Sequence, residues 1–181
     1  MTDRSELVRP LLRTRQIREF TDEPISEEDL NLLADVARWS GSGSNTQPWR
    51  FILIREEANL RAIAEAGMPQ TRSLRSAAAG IAIALREEQG AAISHAYDEG
   101  RAAERILVGA QMLGLGAGIA WIPPANRGTV SELLHIPAEW RVRTVVAIGH
   151  PSESARKPKS APGQARLPRD EVVFRERWPA G

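Results

Sequence analysis

The sequence predicts one domain that contains both helices and strands. Its 181 residues are close to the size of a single globular domain, which would bury about 70% of its unfolded surface. Apolar residues make up 42% of the chain and charged residues 26%, as in ordinary soluble proteins. Some segments repeat apolar residues at helical spacing, whereas others are the short apolar runs typical of buried strands.

The chain begins with a predicted helix at residues 3–12. Four apolar side chains fall on one side of this helix: Leu7, Val8, Leu11 and Leu12. An arginine-rich segment, residues 13–20, comes next, and it is followed by a turn at residues 21–24.

A second helix begins at a strong start signal. Ser26 is a favoured N-cap residue, and Asp29 stands three positions later, as in a capping box. The flanking apolar residues Ile25 and Leu30 fit a hydrophobic staple across this helix end. Apolar residues then recur at helical spacing, and we expect the helix to end near Trp39.

The remainder of the first 150 residues predicts three more helices and four strands. We expect strands at residues 49–54, 77–85, 117–122 and 142–148. We expect helices at residues 57–66, 94–115 and 129–134. A capping box of Thr129 and Glu132 would open the last of these helices. Residues 67–75 have no regular pattern and could form a mobile cover over a ligand.

The composition changes after His150. Residues 151–170 are rich in proline, arginine and lysine, and residues 171–174 read as a last short strand. The apolar side chains near this end would be left in water if the segment were a disordered tail. We therefore expect a single domain, residues 1–181, with a core at 1–150 and an arm at 151–181 that packs on a partner subunit.

The basic residues are almost all arginine, and they are clustered. Of the 24 basic residues, 22 are arginine, and the net charge is only +1. The arginines gather near residues 13–18 and again near residues 156–169. A guanidinium is a rigid fork of donors that suits phosphate and carboxylate groups. A high-GC genome or a heat-tolerant host would explain the arginine content but not this clustering.

Several classes of chemistry are excluded by composition. The chain has no cysteine, which excludes disulfide scaffolds, thiolate zinc sites, iron–sulfur clusters and cysteine nucleophiles. Its three histidines are far apart in sequence, so we expect no metal site, and difficult chemistry would need a bound cofactor. No apolar leader or membrane segment is recognisable, and we expect a cytoplasmic protein.

The arginine-rich segment is the first candidate site. In an extended chain Arg13 and Arg15 point to the same side, with Thr14 and Gln16 beside them. Two guanidinium forks on one side suit a phosphate monoester, and a solvated basic edge is the alternative. Nucleic acid is a weaker alternative, because no aromatic residues alternate with these arginines to form a stacking surface.

The polar loop at residues 40–48 is the second candidate site. Its glycines would let backbone amides approach a flat ligand, and Asn45 and Gln47 offer donors and acceptors. A simple connection between helix and strand is the alternative. The glycines Gly114, Gly116 and Gly118 are not a dinucleotide motif, because they follow a helix and precede a strand. We expect them to provide a positive φ and a close backbone approach.

Taken together, these segments resemble the FMN-dependent nitroreductase family. The resemblance is carried by Arg15-x-Ile17-Arg18-x-Phe20, Pro24-Ile25, Asn45-x-Gln47-Pro48-Trp49-Arg50-Phe51, Gly114-Leu-Gly116, Trp121-Ile122, Arg166-Leu-Pro168 and Asp170-Glu-Val-Val173. The motifs occur in the family's order and extend over nearly the whole chain. The resemblance implies an α+β, nitroreductase-like fold: a central, mostly antiparallel sheet flanked by helices, with a C-terminal arm that extends onto the partner subunit.

The resemblance also implies a homodimer with two FMN molecules at the subunit interface. The residues expected to hold the FMN phosphate are Arg13, Thr14, Arg15, Gln16, Arg18 and Arg166. A loop of the other subunit would lie along the flavin: Ser40, Gly41, Ser42, Gly43, Asn45 and Gln47. The backbone of Ala120, Trp121 and Ile122 would approach the flavin N5 edge. The family usually has Arg-Arg-Ser where this chain has Thr14-Arg15-Gln16, and proline at Gly41.

The activity implied by the resemblance is NAD(P)H-driven, ping-pong reduction of nitroaromatic, quinone or related acceptors. The flavin N5 would carry the redox chemistry, and no side chain is expected to be catalytic. The alternatives are reductive dehalogenation or flavin breakdown on the same scaffold, and a non-catalytic FMN-binding protein. We expect neither nucleic acid nor a membrane as a partner.

Overall fold

The computed structural model describes residues 3–88, 90–157, 159–161 and 164–178. The sheet is antiparallel, with strands in the order β1-β2-β4-β3: β1 is Trp49–Ile54, β2 Ala79–Arg86, β3 Gly116–Trp121 and β4 Trp140–Gly149. The α-helices are α1 Arg4–Arg13, α2 Glu27–Arg38, α3 Glu57–Ala66, α4 Ala92–Met112, α5 Arg127–Leu133, α6 Glu153–Arg156 and α7 Arg169–Val172. The α+β architecture predicted from the sequence is confirmed.

Both faces of the sheet are covered by helices. Alternate side chains of a strand point to opposite faces, so Ile81 and Ile83 of β2 point one way and Ala82 and Ala84 the other. The isoleucines belong to a cluster of buried residues that includes side chains of α2 and α4. The alanines belong to a second cluster with α3 and α5. Each fully buried leucine or isoleucine in these clusters stabilises the fold by about 1.5–3 kcal/mol.

The start of α2 follows the sequence signals. The backbone N–H of Asp29 donates to the side-chain oxygen of Ser26 at 2.9 Å, as the N-cap prediction requires. Ile25 and Leu30 are both buried in the same cluster, consistent with the predicted staple. The helix ends at Arg38, next to the predicted end at Trp39.

The predicted start of α5 is wrong. The helix begins at Arg127, after Asn126, and no side chain caps it. Thr129 therefore lies inside the first turn instead of preceding it. The reason is the 3-10 turn at Pro124–Asn126, which leads directly into the helix. The fixed φ of Pro124 sets helical backbone geometry before Thr129 is reached.

The predicted strand at residues 171–174 is also wrong. Residues Arg169–Val172 form a single helical turn, α7, directly after Pro168. The acidic Asp170 and Glu171 stand in this first turn, where a negative charge favours the helix. The apolar residues of this segment do not form a buried strand. They lie on a partly exposed surface, where Val172 and Val173 are 54% and 45% exposed.

The irregular segment 67–75 is buried at some positions and exposed at others, including residues 68–70. Thr71, Ser73 and Leu74 are buried, and the Thr71 hydroxyl donates to the Ala64 carbonyl at 2.6 Å. A 3-10 turn spans Arg72–Arg75. Thr71, Ser73 and Leu74 therefore anchor the segment that leads to β2. A role of residues 67–75 as a cover over a ligand stays a prediction.

The apolar side of α1 faces outward. Leu7 is 70% exposed and Leu12 is 75% exposed, and none of the residues of α1 is buried. Within the described part of the chain, every helix is too short or too polar to cross a membrane.

Candidate functional site

The arginine-rich segment lies against β3. The Ile17 N–H donates to the Ala117 carbonyl at 2.8 Å, and the Ile119 N–H donates to the Gln16 side-chain oxygen at 2.7 Å. A Cβ atom at Gly118 would lie 2.0 Å from the Ile17 carbonyl oxygen, so only glycine permits this approach. The close approach and the positive φ of Gly114, +76°, confirm the interpretation of the glycine turn.

A cavity of about 280 Å³ opens beside this segment. Its cationic lining residues come from both ends of the chain: Arg15, Arg18, Lys159 and Arg166. The acidic residue in the lining is Glu19, whose carboxylate accepts a hydrogen bond from Ser154 at 2.7 Å. We call it the phosphate-sized cavity. Its donors suit a phosphate group, so the structure fits the cofactor implied by the sequence.

Arg15 has a structural task in this cavity. Its guanidinium donates to three backbone carbonyl oxygens, those of Ala155, Arg156 and Lys157, at 2.5 to 3.0 Å. These carbonyls close the C-terminal end of α6, where helix carbonyls lack partners in the helix. Arg15 therefore ties the beginning of the C-terminal arm to the arginine-rich segment.

The other predicted phosphate residues are only partly brought together. Gln16 and Arg18 line the cavity, and because the Gln16 oxygen accepts from Ile119, its amide N–H groups are left as donors. Thr14 instead donates its hydroxyl to the Pro10 carbonyl at 2.7 Å, at the end of α1. Arg13 lines a neighbouring cavity and not this one.

Lys159 is a cavity residue that sequence reasoning missed. It lies in the basic stretch of the arm, seven positions before Arg166, and both line the same cavity. The clustering of basic residues near 156–169 is the signal in the sequence that points to this region. The sequence does not distinguish a lysine that lines a cavity from a lysine that is exposed to solvent.

The polar loop at residues 40–48 is held by α4. The Gly43 N–H donates to the carboxylate of Asp98 at 3.2 Å, and Asp98 is 1% exposed. The Gln47 N–H donates to the Ser42 hydroxyl at 2.9 Å. Ser40 is buried, and Gly41 lies near the Arg101 guanidinium, which is 3.5 Å from Asp98. The loop is thus a fixed structure.

Three non-glycine residues of this loop adopt left-handed backbone conformations. The φ angles of Ser44, Asn45 and Gln47 are 48°, 56° and 49°. Such angles are uncommon outside glycine, and asparagine tolerates them best. Strain of this kind is usual at functional sites, where surrounding contacts enforce it. Asp98, which anchors the loop through the Gly43 N–H, could not be recognised from the sequence, because it reads as an ordinary charged residue of a long helix.

The two candidate segments lie at opposite edges of the sheet. The loop leads into β1, one edge strand, whereas the arginine-rich segment packs on β3, the other edge strand. The two edge strands of this four-stranded sheet are three strand spacings apart, which is about 14 Å. One chain therefore does not bring the loop and the phosphate-sized cavity together.

The end of β3 has a backbone donor, the Trp121 N–H, without a backbone partner among the described residues. The Ile122 N–H donates to the Arg143 carbonyl at 2.7 Å, so the Ile122 amide points toward β4. Amides alternate in direction along an antiparallel strand, so Ala120 also points toward β4 and Trp121 points away from it. Of the three predicted backbone contacts, only the Trp121 N–H faces the open edge.

A buried ion pair lies beside this end of β3. Glu99 of α4 is buried, and one of its carboxylate oxygens lies 2.8 Å from Arg143. Burial raises the pKa of the Glu99 carboxyl, although Arg143 and a hydrogen bond with Thr144 oppose the shift. Burial and the nearby Arg143 lower the pKa of Arg127, whose guanidinium lies 5.9 Å from the centre of the Trp121 ring.

Comparisons with known proteins agree on one family. The profile of the nitroreductase family matches residues 11–85. A protein of Archaeoglobus fulgidus assigned as an NADH dehydrogenase/NAD(P)H nitroreductase is 30% identical over 155 residues, which cover 82% of this chain and 87% of the relative. The 5,6-dimethylbenzimidazole synthase of Rhodospirillum rubrum is 29% identical over 168 residues, covering 77% and 79%.

A solved structure extends the agreement to the fold. A crystal structure from Desulfovibrio desulfuricans, described as a nitroreductase in complex with FMN, is 26% identical and superposes with a TM-score of 0.79. The superposition covers 96% of this chain and 98% of the other. By sequence and by fold, the chain belongs to the nitroreductase family.

Proposed function

We propose that the protein is an FMN-dependent oxidoreductase that uses NAD(P)H to reduce nitroaromatic, quinone or related acceptors. The observation that carries the proposal is the phosphate-sized cavity, where cationic groups from both ends of the chain converge beside β3. When bound, FMN would take electrons from NAD(P)H and supply them to the acceptor. The protein then has to bind and orient FMN and its substrates and to shield them from water. No side chain is predicted to be catalytic, which agrees with this division of tasks.

The phosphate would be held by three cationic side chains and one amide. Arg18, Lys159 and Arg166 line the cavity and have no ion-pair partner among the described residues. The Gln16 amide can donate beside them. Arg15 contributes its charge and positions the arm. Charge-assisted hydrogen bonds of this kind are the strong class in proteins.

The flavin ring would lie along the open edge of β3. The Trp121 N–H is directed away from β4 and is available to a ligand at that edge. A fixed backbone donor stabilises negative charge that develops on a bound ring, without any reorganisation. The N–H groups of Ala120 and Ile122 are directed to β4 and are left out of this role.

The polar loop would be supplied by a second subunit. Because the loop and the phosphate-sized cavity lie at opposite edges of one sheet, a complete site needs the loop of a partner. The clamp by Asp98 would present the backbone of residues 40–47 to the flavin of that partner in a fixed form. The functional unit is thus a homodimer with FMN between its subunits.

Absorbance spectroscopy tests the function directly. We expect purified protein to bind one FMN per chain and to show the flavin band. Under anaerobic conditions NADH or NADPH should bleach that band, and a nitroaromatic or quinone should restore it. Protein that stays colourless after addition of FMN would overturn the proposal. Bound FMN that neither nucleotide bleaches would identify a non-catalytic flavin binder.

A paired substitution tests the phosphate assignment. Arg18→Gln with Arg166→Gln removes two cations from the cavity, and we expect FMN affinity to fall by about 100-fold or more. Arg61→Gln with Arg72→Gln removes two exposed arginines elsewhere and should leave the affinity unchanged. Fluorescence titration of FMN measures both. Equal affinities for the two double variants would show that the phosphate lies elsewhere.

Flavin breakdown is the second candidate function. The similarity to 5,6-dimethylbenzimidazole synthase favours it. Against it, the lining of the phosphate-sized cavity includes none of residues 67–75, the segment that was expected to cover the flavin in such chemistry. Aerobic incubation of the protein with reduced FMN, followed by chromatography for dimethylbenzimidazole, distinguishes flavin breakdown from the oxidoreductase function. Recovery of intact FMN favours the oxidoreductase.

A further inference from the structure

A cavity of about 450 Å³ opens at the end of the sheet where β2 stops and β4 begins. We call it the sheet-end cavity. Four arginines line it: Arg86, Arg127, Arg141 and Arg143. Two carboxylates, Glu87 and Glu88, share the lining with them, so cationic groups outnumber anionic groups two to one. The buried His95 also lines the cavity, and its Nδ1 lies 3.1 Å from the Arg86 carbonyl oxygen.

Two of the four guanidinium groups are not held in ion pairs. Arg141 lies 3.2 Å from Glu87, and Arg143 lies 2.8 Å from Glu99. For Arg86 and Arg127, the described residues provide no carboxylate within 4.0 Å. Positive charge is thus available in the cavity without the loss of an existing pair.

The N-terminus of α4 adds to this positive field. Ala92, the first residue of the helix, lines the cavity. No side chain caps this end, and the first turn contains no acidic residue. The first N–H groups of a helix have no partner within it, and the macrodipole of a 21-residue helix favours an anion there.

The buried Glu99 lies beside Arg143. One of its oxygens pairs with Arg143 at 2.8 Å, and its Oε1 is buried without a hydrogen-bond partner among the described residues. Glu99 therefore occupies Arg143, and Arg86 and Arg127 are the cations that an anion in the cavity would meet.

The sheet-end cavity adjoins the open edge of β3. The Arg127 Nε donates to the Ile122 carbonyl at 3.3 Å, and its guanidinium lies 5.9 Å from the centre of the Trp121 ring. Arg127 therefore separates the cavity from the backbone donor that faces the proposed flavin. A substrate whose reactive part lies at that edge can reach the cavity with an anionic substituent.

We propose that the sheet-end cavity binds the anionic group, a carboxylate or a phosphate, of a substrate of the reductase. The inference rests on the proposed function for the identity of the reaction, but not for the existence of the anion site. Arg86 and Arg127 determine the preference for an anionic substrate, with the N-terminus of α4 as a backbone donor. The anion belongs either to the electron acceptor or to the nucleotide donor.

Two matched probe pairs test the inference on FMN-loaded protein. The pair 4-nitrobenzoate and 4-nitrobenzamide differs in the charge of one group, and the oxidised nucleotides NADP⁺ and NAD⁺, which cannot reduce the flavin, differ in one phosphate. Dissociation constants follow from quenching of tryptophan fluorescence, without turnover. We expect the wild type to bind the anionic member of at least one pair about 10-fold more tightly. Arg86→Gln with Arg127→Gln should abolish that preference, and the exposed Arg72→Gln should retain it.

Each outcome decides for or against the site. A preference confined to the nitrobenzoate pair assigns the anion to the acceptor, and one confined to the nucleotides assigns it to the donor. Equal binding within both pairs overturns the inference, as does a preference that survives the double variant. If the double variant does not fold, the single variant Arg86→Gln replaces it in the test, and it should weaken the preference for the anionic probe. If the protein binds no FMN, the proposed function fails, but the fluorescence titrations still report on the anion site.

Discussion

At the scale of single residues, Arg15 illustrates how one side chain links two segments that are far apart in sequence. The pattern of residues 13–18 predicts a phosphate ligand, and the residue does line the phosphate-sized cavity. Its donors, however, are directed to three carbonyl groups at the end of α6. The sequence shows that Arg15 carries a guanidinium group, but it does not show which groups accept its hydrogen bonds. The three acceptors are 140 to 142 positions away in the chain.

Substitution of Arg15 by lysine should release the beginning of the arm. An ammonium keeps the charge but does not reach three carbonyls in a fork, and bonds from a charged donor contribute about 1.5–3 kcal/mol each. We expect trypsin to cleave the Arg156–Lys157 bond about 10-fold faster, because local opening becomes easier. Arg13→Lys is the matched control and should cleave at the wild-type rate. Mass spectrometry of timed digests measures both, and equal rates in the two variants would refute the tether.

The buried Glu99 predicts a pH dependence of stability. Its folded-state pKa is raised above the usual value of 4.5, so the folded protein holds this proton more tightly than the unfolded chain. The stability contributed by the group is present below that usual value, and it is lost as the pH rises through the folded-state pKa. The free energy of unfolding of the wild type minus that of Glu99→Gln should therefore fall as the pH rises above the usual value of 4.5.

Denaturant titrations at several pH values measure this difference. Glu104→Gln, which removes a carboxylate from an exposed position on the same helix, is the matched control. A flat difference for Glu99→Gln would show that the carboxyl titrates at its ordinary pKa in the folded protein.

At the scale of elements, substitutions in the two predicted capping boxes should have opposite effects on stability. Ser26 accepts a bond from the Asp29 N–H, whereas Thr129 lies inside α5 and caps nothing. Ser26→Ala should cost about 1 kcal/mol, which lowers the melting temperature by about 2–4 °C in a chain of this size. Thr129→Ala should leave it unchanged or raise it slightly, because alanine favours helix interiors. Comparable losses in the two variants would contradict the structure.

The elements were predictable where the deciding signals are local. The N-cap of Ser26 and Asp29 is a local signal for α2, and the short apolar runs are a local signal for the strands, so these elements follow from the sequence. The errors at α5 and α7 arise where a proline sets the backbone just before the segment, and the apolar or capping pattern is overridden.

The candidate site was predictable only in part, for the same reason. Gln16, Arg18 and Arg166 stand in recognisable motifs, and the fold brings them to one cavity. Lys159 and the clamp by Asp98 depend on which segments meet in the folded chain. A stretch of basic residues or a helical aspartate carries no local mark of such a meeting, so only the structure reveals them.

At the scale of the whole molecule, the described residues include apolar surfaces that the single chain leaves exposed. One is the outer side of α1, and another is the stretch 172–178, where Val172 and Trp178 are 54% and 81% exposed. Apolar patches of this kind mark interaction surfaces. The loop and the phosphate-sized cavity lie at opposite edges of the sheet, so a complete site needs a second subunit. The exposed apolar surfaces are consistent with such a subunit contact.

A charge placed on the outer side of α1 should therefore separate the subunits and release the cofactor together. In Leu11→Glu with Leu12→Glu, a symmetric dimer would bury four carboxylates against apolar groups, and we expect association to weaken by about 100-fold or more. Flavin should be lost with the dimer, because a monomer lacks the partner's loop. Leu133→Glu on α5, on the opposite face of the sheet, should remain a flavin-bound dimer. Light scattering with absorbance detection reads mass and flavin at once, and a monomer that keeps stoichiometric FMN would disprove the shared site.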